Sequence, residues 1–267
     1  MEIYSVWLRR CIVQEETFDT PDLRHVKALP MLSVVQSVTG SYQIAIEGMG
    51  CGETRPGGCF IAPSKLTQDI THRLPESGEM TARWAFLDVV LNERYPMEEL
   101  FEFPLLVPLE ALDGVSRLLE EMLAHQRLGE VCLMYSAGYR LLDILFRFGS
   151  WKTQPVDEAV LDALRVIHEN YASALRVEDL ARAAHLSPSA FYTRFKRQTA
   201  QSPGQYLLHY RLSAAALRLE HSQESIGRIA RDAGFESPFY FTRQFQRMFG
   251  LPPSEYRRRL HPKRGRG

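Results

Sequence analysis

The chain has 267 residues, 32 Lys/Arg balanced by 32 Asp/Glu, 45% hydrophobic and 24% charged residues. That length predicts two domains with separate cores, and the composition is that of an ordinary soluble globular protein. No apolar run approaches the roughly 20 residues of a membrane span, and MEIYSVWLRRCIV lacks the basic start of a signal peptide, so a cytoplasmic protein without a membrane partner is expected.

Residues 1–111 read as β. MLSVVQSVTGSYQIAIEG carries short Val/Ile/Tyr-rich runs broken at Gly40 and Gly48, and RPGGCFIAP is a Pro-Gly turn feeding an apolar run that stops at Pro63. In ARWAFLDVVL, residues Ala82, Trp84, Phe86 and Asp88 alternate with Arg83, Ala85, Leu87 and Val89, the period of a strand. Short strands punctuated by Gly and Pro predict a sandwich or small barrel. Cys11, Cys51, Cys59 and Cys132 show no zinc-knuckle or redox spacing and are expected to be free thiols.

The period changes over 112–150. Leu112, Val115, Leu119 and Met122 mark one helix face, and Val131, Met134, Leu141, Leu142, Leu145 and Phe148 mark a second after a break near Gly129. Two helices this apolar must pack on the strands or on a partner chain. Residues 151–156 read as a linker, since Pro155 turns Gln154 away from helix.

Residues 157–260 read as helical, starting at a capping Asp157, with breaks at Ser187-Pro188, Ser202-Pro203, Gly234 and Pro252-Pro253. A basic tail, 261–267, ends the chain. Residues 157–267 carry 18 Lys/Arg against 11 Asp/Glu, leaving 14 against 21 for residues 1–156. A basic C-terminal part beside an acidic N-terminal part points the former at a polyanion.

An internal repeat gives that charge a purpose. Leu180, Ala181, Arg182, Ala184 and Leu186 match Ile229, Ala230, Arg231, Ala233 and Phe235 at an offset of 49. After one inserted residue, Phe191, Phe195, Arg197, Pro203 and Tyr206 match Phe241, Phe245, Arg247, Pro253 and Tyr256 at an offset of 50. Each copy reads as a short helix, a tight turn and a second helix opened by Ser-Pro, the helix-turn-helix pattern. The phenylalanines one turn apart face the core. The other face carries Tyr192, Thr193 and Lys196 in one copy and Thr242, Arg243 and Gln246 in the other, types suited to base edges and phosphates. Between the copies, Pro203 to Leu219 predicts a helix of roughly 25 Å, with Leu208, Leu212, Ala215 and Leu219 on one face. Such a spacer suits two recognition helices about one DNA turn, roughly 34 Å, apart. A helical bundle whose repeat serves packing alone is the competing reading.

These residues carry a resemblance. VEDLARAA, LSPSAFYTRFKRQT, SPGQYLLHYRL and SIGRIARDAGFESPFYFTRQFQRMFGLPPSEYR are similar to the C-terminal domain of AraC/XylS-type transcription regulators. The resemblance implies a seven-helix domain reading two successive major-groove segments. It implies base contacts from Ser189, Tyr192 and Thr193 in the first copy and from Phe239, Thr242 and Arg243 in the second. Lys196, Arg197, Gln246 and Arg247 would contact phosphates. Arg243 is the strongest candidate, because a guanidinium pairs with guanine in a bidentate way. The first copy departs from the pattern: His185 stands where glycine is common, Ala200 where a helix-ending glycine is usual, and Arg176 where a capping serine is frequent.

VTGSYQIAIEG followed by RPGGCFIAP resembles the same family's cupin-like sensor. The implied fold class is α+β multidomain: an N-terminal cupin-like β-barrel with flanking dimerisation helices, then an all-α domain with two helix-turn-helix motifs. Leu119, Met122, Leu141, Leu145 and Phe148 would supply a homodimer interface. Tyr42, Glu53, Arg55, His72 and Trp84 are candidates to line an effector pocket, an aromatic platform with charged groups fixing a polar ligand. No two of the eight histidines are separated by one residue, and His25 and His72 alone fall in the barrel region. No metal site, cofactor or catalysis is therefore expected. The resulting expectation is a sequence-specific DNA-binding regulator, an activator by family habit, controlled by a small molecule such as a sugar. RNA polymerase is a further candidate partner. The alternatives are a regulator whose barrel only dimerises, and a cupin-type metal enzyme fused to a DNA-binding domain.

Overall fold

Alternating side chains build the N-terminal strands in the computed structural model, which describes residues 3–64, 66–93, 95–152, 157–199 and 201–260. Positions 153–156 of the expected linker, Ala200 and the basic tail 261–267 lie outside the described residues. The chain divides into two compact units, Met1–Val26 with Met31–Gln154, and Lys27–Pro30 with Pro155–Gly267.

The first unit contains β1 (Val6–Phe18), β2 (Arg24–Lys27), β3 (Leu32–Ser37), β4 (Ser41–Ile46), β5 (Gly50–Glu53), β6 (Cys59–Ala62), β7 (Gln68–Arg73), β8 (Met80–Leu91) and β9 (Tyr95–Pro96). It continues with α1 (Met97–Leu100), β10 (Phe101–Glu102), α2 (Leu109–Leu128), α3 (Val131–Phe148) and β11 (Ser150–Trp151). One sheet runs β1-β8-β3-β6 with β9 also paired to β8, a second runs β2-β7-β4-β5, and β10 pairs with β11. The pairings of β1 with β8, β3 with β6 and β8, and β4 with β5 and β7 are antiparallel, which fits short strands joined by Gly/Pro turns. The expected barrel is not closed: among the described residues no sheet returns on itself. Along β4, Tyr42, Ile44 and Ile46 are buried while Gln43 and Ala45 are exposed, and β7 buries Gln68, Ile70 and His72. Tyr42, Ile44, Ile46 and Ile70 meet Val35, Phe60, Ala62, Met80 and Ala82 in one core.

The two long helices cover the edge strand β1. The Gln126 side chain accepts from the Val13 amide at 3.2 Å and donates to the Val13 carbonyl at 2.8 Å, replacing a missing strand partner. Tyr139 Oη accepts from the Leu8 amide at 3.1 Å. Gly138 permits this approach, because a Cβ there would lie 2.8 Å from Leu8 Cδ2. The break between the helices is Gly129, left-handed at φ 73°. This packing corrects the expected dimer interface. Leu119, Met122, Leu141 and Leu145 are fully buried within the single chain, and Phe148 is half-buried. An edge strand needs cover, and these apolar faces supply it.

The second unit holds seven helices among the described residues: α4 (Glu158–Asn170), α5 (Val177–Ala183), α6 (Pro188–Thr199), α7 (Pro203–His221), α8 (Ile226–Asp232), α9 (Pro238–Phe249) and α10 (Pro253–Leu260). Ser202, Ser225 and Ser237 cap α7, α8 and α9 by accepting from the backbone three residues on. At α5 the cap is different: the Asp179 carboxylate accepts from the Arg176 backbone amide at 3.1 Å, and the guanidinium, which has no acceptor, contributes nothing there. Asp157 precedes α4, but its carboxylate is taken by Arg194 of α6 at 2.6 and 2.7 Å.

The middle helix α7 buries more than the one face read from its periodicity. Leu212, Ala215, Ala216 and Leu219 pack with Phe235, Phe241, Phe245 and Phe249 of the second copy. Tyr206 meets Phe195 of the first copy edge-on, with ring centroids 5.4 Å apart. At 19 residues, α7 is roughly 28 Å long.

Candidate nucleic-acid interface

The repeat folds as two helix-turn-helix motifs, α5–α6 and α8–α9. In each the turn requires a left-handed residue. Gly234 supplies it at φ 82° and His185 at φ 53°, so histidine holds the glycine position of the first copy. Gly234 has a second reason to be glycine, since a Cβ would sit 2.9 Å from the Ala172 carbonyl oxygen and 3.0 Å from Arg211 Nε. The first helices present Leu180 and Ala181, or Ile229 and Ala230, to their cores. The second helices bury Phe191 and Phe195, or Phe241 and Phe245, at zero exposure. One phenylalanine pair on the inner face of each second helix fixes which side chains point out.

The outward set is the one the repeat predicts. Ser189, Tyr192, Thr193, Lys196 and Arg197 are exposed on α6. Phe239, Arg243, Gln246 and Arg247 are exposed on α9, with Thr242 half-buried among them. Each copy therefore presents candidate reading residues in its early turns and cationic or amide side chains one turn later. Two details escaped sequence reasoning. Thr193 Oγ1 donates to the Ser189 carbonyl at 3.1 Å, and Thr242 Oγ1 donates to the Pro238 carbonyl at 2.9 Å. Their hydroxyl hydrogens are thus occupied within their own helices, a habit of helical threonine that its type alone suggests. Arg194, between the candidate contacts, turns inward to Asp157, and Arg197 lies 3.6 Å from the same carboxylate. The Arg194 hydrogen bonds hold the Asp157 carboxyl below the usual carboxylate range. The Asp157–Arg194 pair fastens α6 to the start of α4, a long-range link that no local pattern signals.

In the first unit, the expected effector residues separate into two groups. Tyr42 and His72 are buried register partners with ring centroids 4.8 Å apart, and Trp84 packs against the same core. Glu53 stands opposite Gln43 on the outer face of its sheet and Arg55 is exposed in the following turn, so neither reaches the interior. Glycine-rich β5 gave no alternation from which to place them. Phe18 and His25 join the interior group instead, with centroids 4.3 and 4.8 Å from the His72 ring. Gln68 also faces inward at zero exposure, as the period-2 spacing Gln68-Ile70-His72 would have shown. Burial pushes the Tyr42 hydroxyl upward, helped by Glu16, and pushes the Cys11 and Cys59 thiols up to about 12. All four cysteines are free thiols. Among the described residues no three His, Cys, Asp or Glu side chains form a group able to hold a metal ion, and no helix is long and apolar enough to cross a membrane.

Comparison with known proteins places this geometry. Residues 180–259 match a family model described as a helix-turn-helix domain. The chain is 31% identical over 124 residues to the lactose operon transcription activator of Staphylococcus xylosus, covering 46% of this chain and 44% of that protein. It is 34% identical over 112 residues to a putative AraC-like transcription regulator of Streptomyces lividans, covering 42% and 36%. The chain thus spans less than half the length of these relatives. The crystal structure of unsaturated fatty acid bound ToxT from Vibrio cholerae shares the fold, with a TM-score of 0.64 at 12% identity over 97% of this chain and 98% of that one. With its paired motifs, phenylalanine cores and outward basic helices, the C-terminal region of this chain is a helix-turn-helix domain, similar in sequence to that of an AraC-like regulator.

Proposed function

We propose that the protein is a sequence-specific DNA-binding transcription regulator. The observation that carries this reading is the pair of recognition helices, α6 and α9, each anchored by two buried phenylalanines and turning cationic and amide side chains outward. Two such helices joined by α7 suit two successive major-groove segments. The test is selection of the full chain on a random duplex library, followed by titration of the selected site. Arg243→Ala should weaken binding there by about 1–3 kcal/mol and relax preference at one base. Lys196→Ala should weaken all sequences alike and reduce the salt slope by about 1. A wild-type chain that enriches no sequence would overturn the reading.

Regulation by a small molecule held between the two sheets of the first unit is part of the proposal. Tyr42, Trp84, His72 and Gln68 offer aromatic faces and polar groups within an apolar interior, the chemistry of a ligand site. The operon named for the staphylococcal relative supports a sugar as the effector and activation as the output. A ligand at 100 times its dissociation constant should stabilise the full chain by about 2.7 kcal/mol, read as a dose-dependent thermal shift. Silence across sugars and small acids would favour a ligand-independent regulator. Non-enzymatic action is proposed on the same grounds, and stoichiometric iron, zinc or manganese in purified protein would count against it. Two chains are proposed to associate through the helical hairpin. The exposed large hydrophobic side chains there, among them Leu128, Val131 and Leu133, are not the dimer set inferred from periodicity.

A further inference from the structure

Among the described residues of the second unit, the exposed large hydrophobic side chains are Tyr192, Phe239 and Tyr240. All three stand on the second helices of the two motifs. Single exposed apolar residues are common on protein surfaces, but their confinement to these helices is a pattern. Phe239 is the extreme case, 77% exposed. It follows Pro238 in the first turn of α9, where Ser237 Oγ caps the helix by accepting from the Tyr240 amide at 3.2 Å. The turn that presents it is therefore fixed by a cap, and the ring is not drawn into the core.

Its neighbours are informative. Thr242 and Arg243 lie three and four residues on, the spacings that share a helix face. The Thr242 hydroxyl already donates to the Pro238 carbonyl at 2.9 Å, so toward a ligand it offers its methyl group and an oxygen acceptor, with no free donor. The leading edge of α9 is thus an apolar patch beside a guanidinium. In the first motif the repeat places Ser189 at the position of Phe239, so the two helices present different chemistry to whatever they meet.

In the major groove the apolar group on a base edge is the 5-methyl of thymine. Resting on the DNA-binding reading above, we propose that Phe239 is a specificity-determining residue that reads a thymine methyl group, with Thr242 beside it, next to the base contacted by Arg243. α9 then selects a thymine by apolar contact, while α6, lacking the aromatic ring at this position, does not.

The experiment isolates the methyl group. The full wild-type chain is carried through selection on a random duplex library, and the best duplex is remade with each thymine in turn replaced by deoxyuridine, which removes only the methyl. One position should lose about fourfold to tenfold in affinity, the value of one buried methyl group. Phe239→Ala should lose affinity for the thymine duplex and show less than about a twofold difference between thymine and deoxyuridine there. Phe239→Leu, which keeps an apolar contact, should retain the discrimination. Because the ring is exposed, Phe239→Ala should melt like the wild type. Tolerance of deoxyuridine at every position, or a penalty that persists undiminished in Phe239→Ala, overturns the proposal while leaving DNA binding intact. Failure of the wild type to enrich any sequence overturns the DNA-binding reading itself, so the two failures are distinguishable.

Discussion

Gly234 and His185 hold the same turn position in the two copies, and the difference between them is measurable. Both have positive φ, a region that costs an L-residue roughly 1–2 kcal/mol. Gly234→Ala adds that strain to a clash with the Ala172 carbonyl 2.9 Å away, so a loss of at least about 1–2 kcal/mol is expected in denaturant unfolding. His185→Gly should move the other way, by about 0.5–1 kcal/mol once the added freedom of the unfolded chain is deducted. Histidine at 185 was legible as a departure from glycine, and its tolerance of the left-handed region explains why the turn survives. Arg194 was not legible in the same way. It sits one residue from Thr193 in a helix whose other cationic residues face out, and only its ion pair with Asp157 shows that it holds helices together.

Elements succeed or fail here by what covers them. Phe241 and Phe239 are two residues apart on α9, one at zero exposure and the other at 77%. Phe241→Ala should cost about 3–5 kcal/mol of stability, whereas Phe239→Ala should stay within about 0.5 kcal/mol. Thermal melts of the two variants check the assigned helix face directly. The join between α4 and α6 should be sensitive to acid. The Asp157 carboxyl is depressed in the folded state by Arg194. Its contribution is therefore fully present above the unfolded carboxylate range, near 4, and is lost as pH falls through the lower folded value. The stability gap between wild type and Asp157→Asn should be widest near neutral pH and close below about pH 4. In the first unit, the periods of α2 and α3 were read correctly except at Val131, which is exposed, but their partner was not. Amphipathicity shows that a face must be buried. It does not say whether strand β1 or a second chain buries it.

At the scale of the molecule, charge and core chemistry divide the labour. The excess of Lys/Arg over Asp/Glu falls in residues 157–267, and the acidic excess falls in residues 1–156. A polyanion should therefore meet the second unit, with counterion release making its affinity strongly salt-dependent. The first unit places Tyr42, Phe60 and Trp84 in an interior between two sheets. Association of chains, proposed for the α2–α3 hairpin, is tested by sedimentation equilibrium. Leu133→Glu, at a side chain half-exposed in the single chain, should shift a dimer to monomer while leaving the melt unchanged. A wild type that sediments as a monomer would remove the dimer from the proposal.

The sequence by itself determined the tandem motifs, their turns and their outward faces. These depend on spacings of three to five residues and on an offset of 49 and then 50 between copies, and helical periodicity translates such spacings directly into faces. It also determined that ARWAFLDVVL forms a strand, β8, although that strand is buried on both faces rather than one. Only the tertiary structure decided that the β region is two sheets without closure, and that Glu53 and Arg55 lie outside it. It alone showed that α2 and α3 cover an edge strand and that Arg194 reaches Asp157. The helix cover and the Arg194 link depend on contacts between residues 37 to 113 positions apart, and such pairings leave no local period in the chain.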